Sequence, residues 1–414
     1  MNIQCKKDPE TYQIGDESSQ TLIFVTPRPV WPIKGGDCIR AHQIVSALTE
    51  KSAKILLCTL TGTQRPEAVP NNIRDKVDVY NFRRGWKDVA VSFSMVARGA
   101  PLQMLAFHNE GVRTFVKSRM KASEGRLFCH TIRAASAIPK GINRRRVILD
   151  FCDSLSMTYQ RLYSDRDHKW MKRAIYSYEG SRVRSYEQKC RSLASNCIAI
   201  SKLDAKALGD PNMWIIENWV DSPVHSRSVR SRDVENKYPL RGVMIANFRT
   251  TQNSDAARLL HIWSDRLRKS GRIEIDLWGQ NSEAMSSLED KGFRVRGTFS
   301  DLSGPLKNVD VAFCLTRISG GLQNKVIQAA AYGIPTMLTP NVAASSPLLI
   351  ERETCFVVRS QAEMEDQILN TDRQAFRDIG ISASEMVNRE LSQEEIRKKW
   401  HRCLGNCLPE RLYP

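Results

Sequence analysis

Between residues 317 and 335 the chain reads RISGGLQNKVIQAAAYGIP, a glycine pair followed by the start of a helix. Asn324 and Lys325 fall in the first helical turn, where the peptide dipoles already concentrate positive charge. A lysine there is poorly matched unless an anion joins it, and a diphosphate is such an anion. Backbone N–H groups after Gly320 and Gly321 would help to hold it. The alternative is a solvated lysine on an ordinary helix. A second glycine pair, Gly35-Gly36 in the run KGGD, precedes the first helical stretch. Glycines there let a ligand approach the backbone closely, although a tight strand-to-helix turn needs the same residues. The spacing is not GxGxxG, so it does not point to a dinucleotide dehydrogenase.

Two further residues stand where predicted strands end. Asp153 closes RRVILDFCD, and a carboxylate there accepts a hydroxyl proton if partial burial raises its pKa. The same residue is also suited to capping the helical stretch SLSMTYQRLY that follows. His130 closes GRLFCHTI and, with Arg133, is a candidate for holding an acceptor phosphate; a structural histidine fits equally. Asp165-Arg166-Asp167 spells DxD in a polar loop, where surface charge is the simpler reading. His401, Cys403 and Cys407 lack a fourth ligand and paired spacing, so no metal is expected there.

The elements that must position these residues alternate along the chain. TLIFVTP (21–27), AKILLCTLTG, GRLFCHTI, RRVILDFCD and SNCIAIS read as buried parallel strands, with CIRAHQIVSALTEK and roughly 166–194 as helices. The polar segment DSPVHSRSVRSRDVENKYPL reads as a linker. A second alternation follows, with strands RGVMIANF, IEIDLWG, FRVRG, VDVAFCL, PTMLTP and CFVV. Two such series predict two doubly wound α/β domains. The expected limits are a disordered leader over 1–20, a first domain over 21–225 and a second over 226–390. The helix in 391–414 would pack back on the first domain.

Composition narrows the function classes. The hydrophobic fraction of 41% and charged fraction of 26% are those of a globular protein. No apolar run approaches the ~18 residues of a membrane span, and no secretory signal opens the chain. The 11 cysteines are odd in number and unpaired in spacing, as in a reducing compartment, so a cytoplasmic location is expected. A net charge of +17 requires an anionic partner. No nucleic-acid motif accompanies it, although a basic nucleic-acid-binding protein remains one rival. The helix over 166–194 combines Lys169, Lys172 and Arg173 with Trp170, Tyr176 and Tyr178, and could lie on an anionic membrane. A merely solvated face fits the same run.

The segment GGLQNKVIQAAAYGIP resembles the donor-site helix of family 4 GT-B glycosyltransferases, most closely the bacterial exopolysaccharide type. TPRPVWPIKGGDCIRAHQIVSAL, ILDFCDSLSMTY, IYSYEGSRVRSYEQK, IIENWVDSP and LWGQ are similar to further blocks of that family, over most of residues 21–360. The resemblance implies two Rossmann-like domains facing each other across a cleft, and a metal-independent, retaining sugar transfer from a nucleotide-diphosphate sugar. The acceptor would be a lipid-linked saccharide in polysaccharide or glycolipid assembly. It places Gly35 and Gly36 beside the donor phosphates, Gly321, Asn324 and Lys325 at the diphosphate, and Arg249 as a second cation. Asp153 stands where many members put a histidine of proposed catalytic role. Gly320 and Gln328 replace two glutamates, though Gln328 can still hydrogen-bond a ribose. Ala246-Asn247 replaces the usual Gly-Arg. These departures set a second rival, a catalytically weakened member that binds sugar nucleotides without turnover.

Overall fold

The computed structural model describes residues 21–33, 35–50, 54–61, 69–123, 125–164, 170–220, 239–317 and 322–407. The expected leader over 1–20, the DxD loop, Gly320 and Gly321 lie outside them. The chain divides into two compact units, one of residues 1–216 with 397–414 and one of residues 217–396.

In the first unit, β1 (Thr21–Thr26), α1 (Gly36–Thr49), β2 (Lys54–Thr59) and β3 (Val77–Asn81) come first. Then follow α2 (Trp86–Ala97), α3 (Met104–Phe107), α4 (Glu110–Ala122), β4 (Arg126–His130) and α5 (Thr131–Ala134). β5 (Val147–Cys152), α6 (Leu155–Ser164), α7 (Trp170–Arg191), β6 (Asn196–Ala199), α8 (Lys202–Ala207) and β7 (Trp214–Ile215) complete the series. The strands form one parallel sheet in the order β3-β2-β1-β4-β5-β6-β7. Its central strands are buried along almost their whole length because helices cover both faces, and their residues are mostly apolar.

In the second unit, β8 (Leu240–Ile245), α9 (Thr251–Lys269), β9 (Ile273–Trp278), β10 (Phe293–Gly297), α10 (Ser303–Leu306) and β11 (Val311–Cys314) are followed by α11 (Asn324–Ala331). β12 (Thr336–Leu338), α12 (Pro340–Ala343), β13 (Cys355–Val357), α13 (Gln361–Asn370) and α14 (Arg373–Glu390) end it. Its parallel sheet runs β10-β9-β8-β11-β12-β13.

The unit limits depart from the expected boundaries at 225 and 391. Val220 already belongs with the second unit, where its N–H donates to the Leu391 carbonyl at 2.9 Å. The last helix, α15 (Gln393–Cys407), carries residues of the first unit from Arg397 onward. There Trp400 is buried, its ring 6.1 Å from that of Phe128 in β4.

Candidate functional site

Open α/β sheets bind ligands beyond the carboxyl ends of their strands, at the point where strand order reverses. In the second unit that point lies between β8 and β11. Two helices start there, α9 after β8 and α11 after β11, and neither has a side-chain cap. Elsewhere in the same unit, Ser360 and Asp372 cap α13 and α14 with side-chain oxygens. Uncapped first turns leave backbone N–H groups available to an anion.

Lys325 is half-buried in the first turn of α11. Its ammonium donates to the Asn253 Oδ1 at 2.8 Å, in the first turn of α9. That partner is neutral, so the positive charge joins two positive helix ends uncompensated. Asn253 in turn donates to the Asn247 carbonyl at 2.8 Å, and the Asn247 amide donates to the Gln280 Oε1 at 3.1 Å. This chain of amides ties Lys325 to the ends of β8 and β9. It is drawn tight at Gly279, whose φ is +134° and where any Cβ would lie 1.9 Å from the Ala246 carbonyl oxygen. No side chain fits there.

The other donor-side candidates sit around this group. The Asn324 Oδ1 accepts from Asn218 Nδ2 at 3.0 Å. The Gln328 Oε1 is buried and has no hydrogen-bond partner among the described residues, which leaves an acceptor for a ligand. Arg249 is exposed on the turn before α9, where its backbone N–H donates to the Asn247 Oδ1 at 3.0 Å.

In the first unit the order reverses between β1 and β4. Gly35 has φ +130°, which only glycine adopts readily, and it leads without a side-chain cap into α1 at Gly36. Across the switch point, Thr131 after β4 (φ +67°) and Cys152 at the end of β5 (φ +64°) are also left-handed. For non-glycine residues this costs about 1–3 kcal/mol each, and such strain gathers at functional sites. Arg28 and Arg133 both lie over the Phe107 ring, at 5.8 and 5.2 Å from its centroid. Arg28 pairs with Asp37 at 3.4 Å, and the Arg133 Nε donates to the Gln103 Oε1 at 2.7 Å.

Asp153 follows β5 directly and is half-buried. Burial pushes its carboxyl above the usual range, and the nearby Arg133 guanidinium only partly offsets this. It does not cap the helix that follows: the Ser154 Oγ does so, accepting from the Met157 N–H at 3.3 Å. Glu187 and Asp204 accept from the Ser156 and Ser154 N–H groups at 3.2 and 2.9 Å, closing the first turn of α6. Burial holds Glu187 at about 7 and Asp204 at about 6.

His130 is not an acceptor contact. It is fully buried, and its Nδ1 meets the Asp150 Oδ2 at 2.8 Å. Asp150 is in turn held by the Arg40 Nε and Nη2 at 2.9 and 2.6 Å, so His130 belongs to an ionic chain inside the core. Arg40, Asp150, Arg28, Phe107 and Asn253 were not singled out in the sequence. The one legible signal was a charge inside an apolar run, Asp150 in VILDFC and Arg40 in the first helix, since a buried charge must be partnered.

Residues 240–371 match the family model described as "Glycosyl transferases group 1". The chain has the GT-B fold, and its segment 240–371 is similar to a group 1 glycosyl transferase domain. That domain contains β8 to β13 and so the whole Lys325 amide chain. Among solved structures, the sucrose-phosphate synthase from Thermosynechococcus elongatus is similar, at 13% identity and a TM-score of 0.66, over 94% of this chain and 98% of that one. Anabaena HepE in complex with UDP is similar at 14% identity and a TM-score of 0.62, over 94% and 100%. A glycosyltransferase from Rickettsia africae matches at 13% identity and a TM-score of 0.60, over 95% and 100%. At these identities the likeness is one of fold. No curated protein matches the sequence.

Proposed function

We propose that this GT-B protein transfers a sugar from a nucleotide-diphosphate sugar to a lipid-linked saccharide in bacterial polysaccharide or glycolipid assembly, without a metal and with retention of configuration. One observation carries the donor side: Lys325, paired only with a neutral amide among the described residues, faces two uncapped helix N-termini at the switch point of the group 1 domain. A diphosphate completes that arrangement electrostatically. As the nucleotide leaves, Lys325 and the helix ends would stabilise the growing charge on its phosphate, the task that a metal performs in other transferases. The Anabaena relative was solved with UDP, which makes UDP-sugars the first donors to test.

The acceptor would meet the strand ends of the first unit, with Asp153 taking the hydroxyl proton and Arg133 orienting it. No helix among the described residues is long and apolar enough to cross a membrane. A lipid-linked acceptor is the reason we propose a peripheral enzyme at the cytoplasmic face of the membrane.

A panel of nucleotide sugars, read first by thermal stabilisation and then by transfer in chelator, tests this reading. The right donor must raise the melting temperature, since it binds only the folded state. Lys325→Ala should weaken that donor about ten- to a hundredfold, the loss of a charge-assisted hydrogen bond of ~1.5–3 kcal/mol. Because Lys325 is half-buried, its removal should leave the melting temperature of the free protein nearly unchanged. Undiminished affinity in Lys325→Ala would remove the diphosphate from this position.

A further inference from the structure

We infer that α2, together with the α6–α7 hairpin, forms one docking platform that rests on an anionic lipid bilayer. The inference deepens the lipid-linked acceptor reading above and rests on it. It adds a helix, α2, that the charge run in the sequence did not include.

α2 is amphipathic in the wrong sense for a helix packed only on its own core. Trp86 is 89% exposed and Phe93 60% exposed, and Ala90 and Ala97 are exposed with them. These positions recur at i, i+4, i+7 and i+11, so they form a single stripe along the helix. On α7, Trp170 is 77% exposed, and Met171, Ile175 and Tyr178 are exposed beside it. Tyr163 near the end of α6 joins them, stacked under Arg173 at 5.3 Å. From Trp170 to Tyr178 no residue of α7 is buried; burial begins at Glu179.

The two stripes belong to one surface. The Arg182 guanidinium of α7 donates to the Val96 carbonyl of α2, and also to the Tyr178 hydroxyl at 3.1 Å. Behind them, the Leu102 N–H donates to the Glu179 Oε1 at 2.7 Å.

Charge chooses the occupant. The acidic residues of α2 and α7 are Asp88, Glu179 and Glu187, and all three are buried. α6 contains none. Among the described residues of these three helices, the exposed charged groups are therefore all cations, including Lys87 and Lys172 exposed and Arg173 and Arg182 half-exposed. Aromatic anchors with basic neighbours, and no exposed acid among the described residues of α2, α6 and α7, suit a bilayer interface with anionic headgroups.

The platform also adjoins the acceptor crevice. The segment from Leu102 to Phe107 touches α7 at Glu179, holds Arg133 through Gln103, and places Phe107 under Arg28 and Arg133. A lipid tail kept in the bilayer would thus bring its headgroup to the strand ends where Asp153 stands.

The test uses the full chain sedimented with vesicles of phosphatidylcholine alone or mixed with phosphatidylglycerol. Binding should be at least about tenfold tighter to the mixed vesicles, as several cations reach the surface. Trp86→Ser with Phe93→Ser should weaken it about tenfold or more, since two large apolar side chains no longer insert. Lys87→Glu with Lys172→Glu should weaken it about twentyfold or more, at about fivefold for each cation removed. Both double variants change exposed positions and should keep the wild-type melting temperature and UDP affinity. Equal capture by neutral vesicles, or unaltered capture of the Trp86 and Phe93 variant, would overturn the platform. So would a dimer that these two substitutions dissociate, because the stripe would then be covered by a second copy. UDP binding without vesicle binding defeats the platform and leaves the transferase reading standing. Vesicle binding as expected with no nucleotide-sugar binding does the reverse.

Discussion

Asp153→Asn is expected to lower sugar transfer about 100- to 10,000-fold, the usual loss when general-base assistance disappears. Asparagine has nearly the shape of aspartate but takes no proton at neutral pH. The substitution is clean here because Ser154, not Asp153, caps α6, so no helix end is lost. Donor affinity should be unchanged, since the proposed donor groups around Lys325 lie in the other unit. Stability should hold or rise slightly. Burial raises the folded pKa of Asp153, so its ionised form opposes folding at neutral pH, and removing that charge relieves the penalty. The same shift predicts the pH profile. The limb of kcat/KM that reports the base should rise at a pH above the ordinary carboxylate value of about 3.9, and it should vanish in Asp153→Asn. Near-normal turnover in the variant, beside an unaltered melting temperature and donor affinity, would end the catalytic assignment.

Much of the architecture was legible because both sheets are parallel and covered on two faces. Strands such as TLIFVT, VILDFC and VAFC are then nearly continuous apolar runs, which stand out from the helices between them. β3 was not legible. VDVYN is an edge strand of its sheet and carries exposed or half-exposed Asp78 and Asn81, so neither a run nor a clean alternation marks it. α2 was missed for a related reason: its exposed Trp86 and Phe93 blur the division between a core face and a solvent face.

The candidate site around Lys325 was marked in the sequence by a local conflict, a lysine at a helix start, and the structure places that lysine at the switch point of its sheet. What sequence could not give was its partner. Asn253 lies on another helix far away in the chain, and only the fold brings it within 2.8 Å of the ammonium. On the acceptor side the same limit acted in reverse. His130 is the last residue of β4, in register with Asp150 and buried, whereas Asp153 lies just beyond the end of β5 and is half-buried. The side on which a strand-end residue falls depends on a single-residue register, which neither composition nor motif spacing fixes.

Arg40→Met should destabilise the protein by about 3–5 kcal/mol at pH 8, because it leaves a buried carboxylate without its cation. Arg40 and Asp150 are respectively 1% and 0% exposed. The guanidinium also donates to the Ile216 carbonyl at 2.9 Å and lies 5.7 Å from the centroid of the Trp400 ring, so one side chain joins α1, β5, the end of the first unit's chain and α15. Burial alone would push Asp150 up, but Arg40 and the hydrogen bond with His130 hold it well below the usual carboxylate range. A depressed folded pKa contributes stability that is present above the unfolded value of about 3.9 and is lost only as pH falls below it. In the wild type Asp150 therefore adds no pH dependence between pH 5 and 8. Without Arg40, burial prevails and the folded pKa rises above the unfolded one. The sign then reverses, and stability falls as pH rises from about 4 through the new value. Urea unfolding at pH 5 and pH 8 should show a smaller difference between wild type and Arg40→Met at the lower pH. Adding Asp150→Asn to Arg40→Met should recover part of the loss at pH 8, since the stranded charge is gone while an acceptor for His130 remains. A loss below about 1 kcal/mol, or one equal at both pH values, would show that the core does not depend on this ion pair.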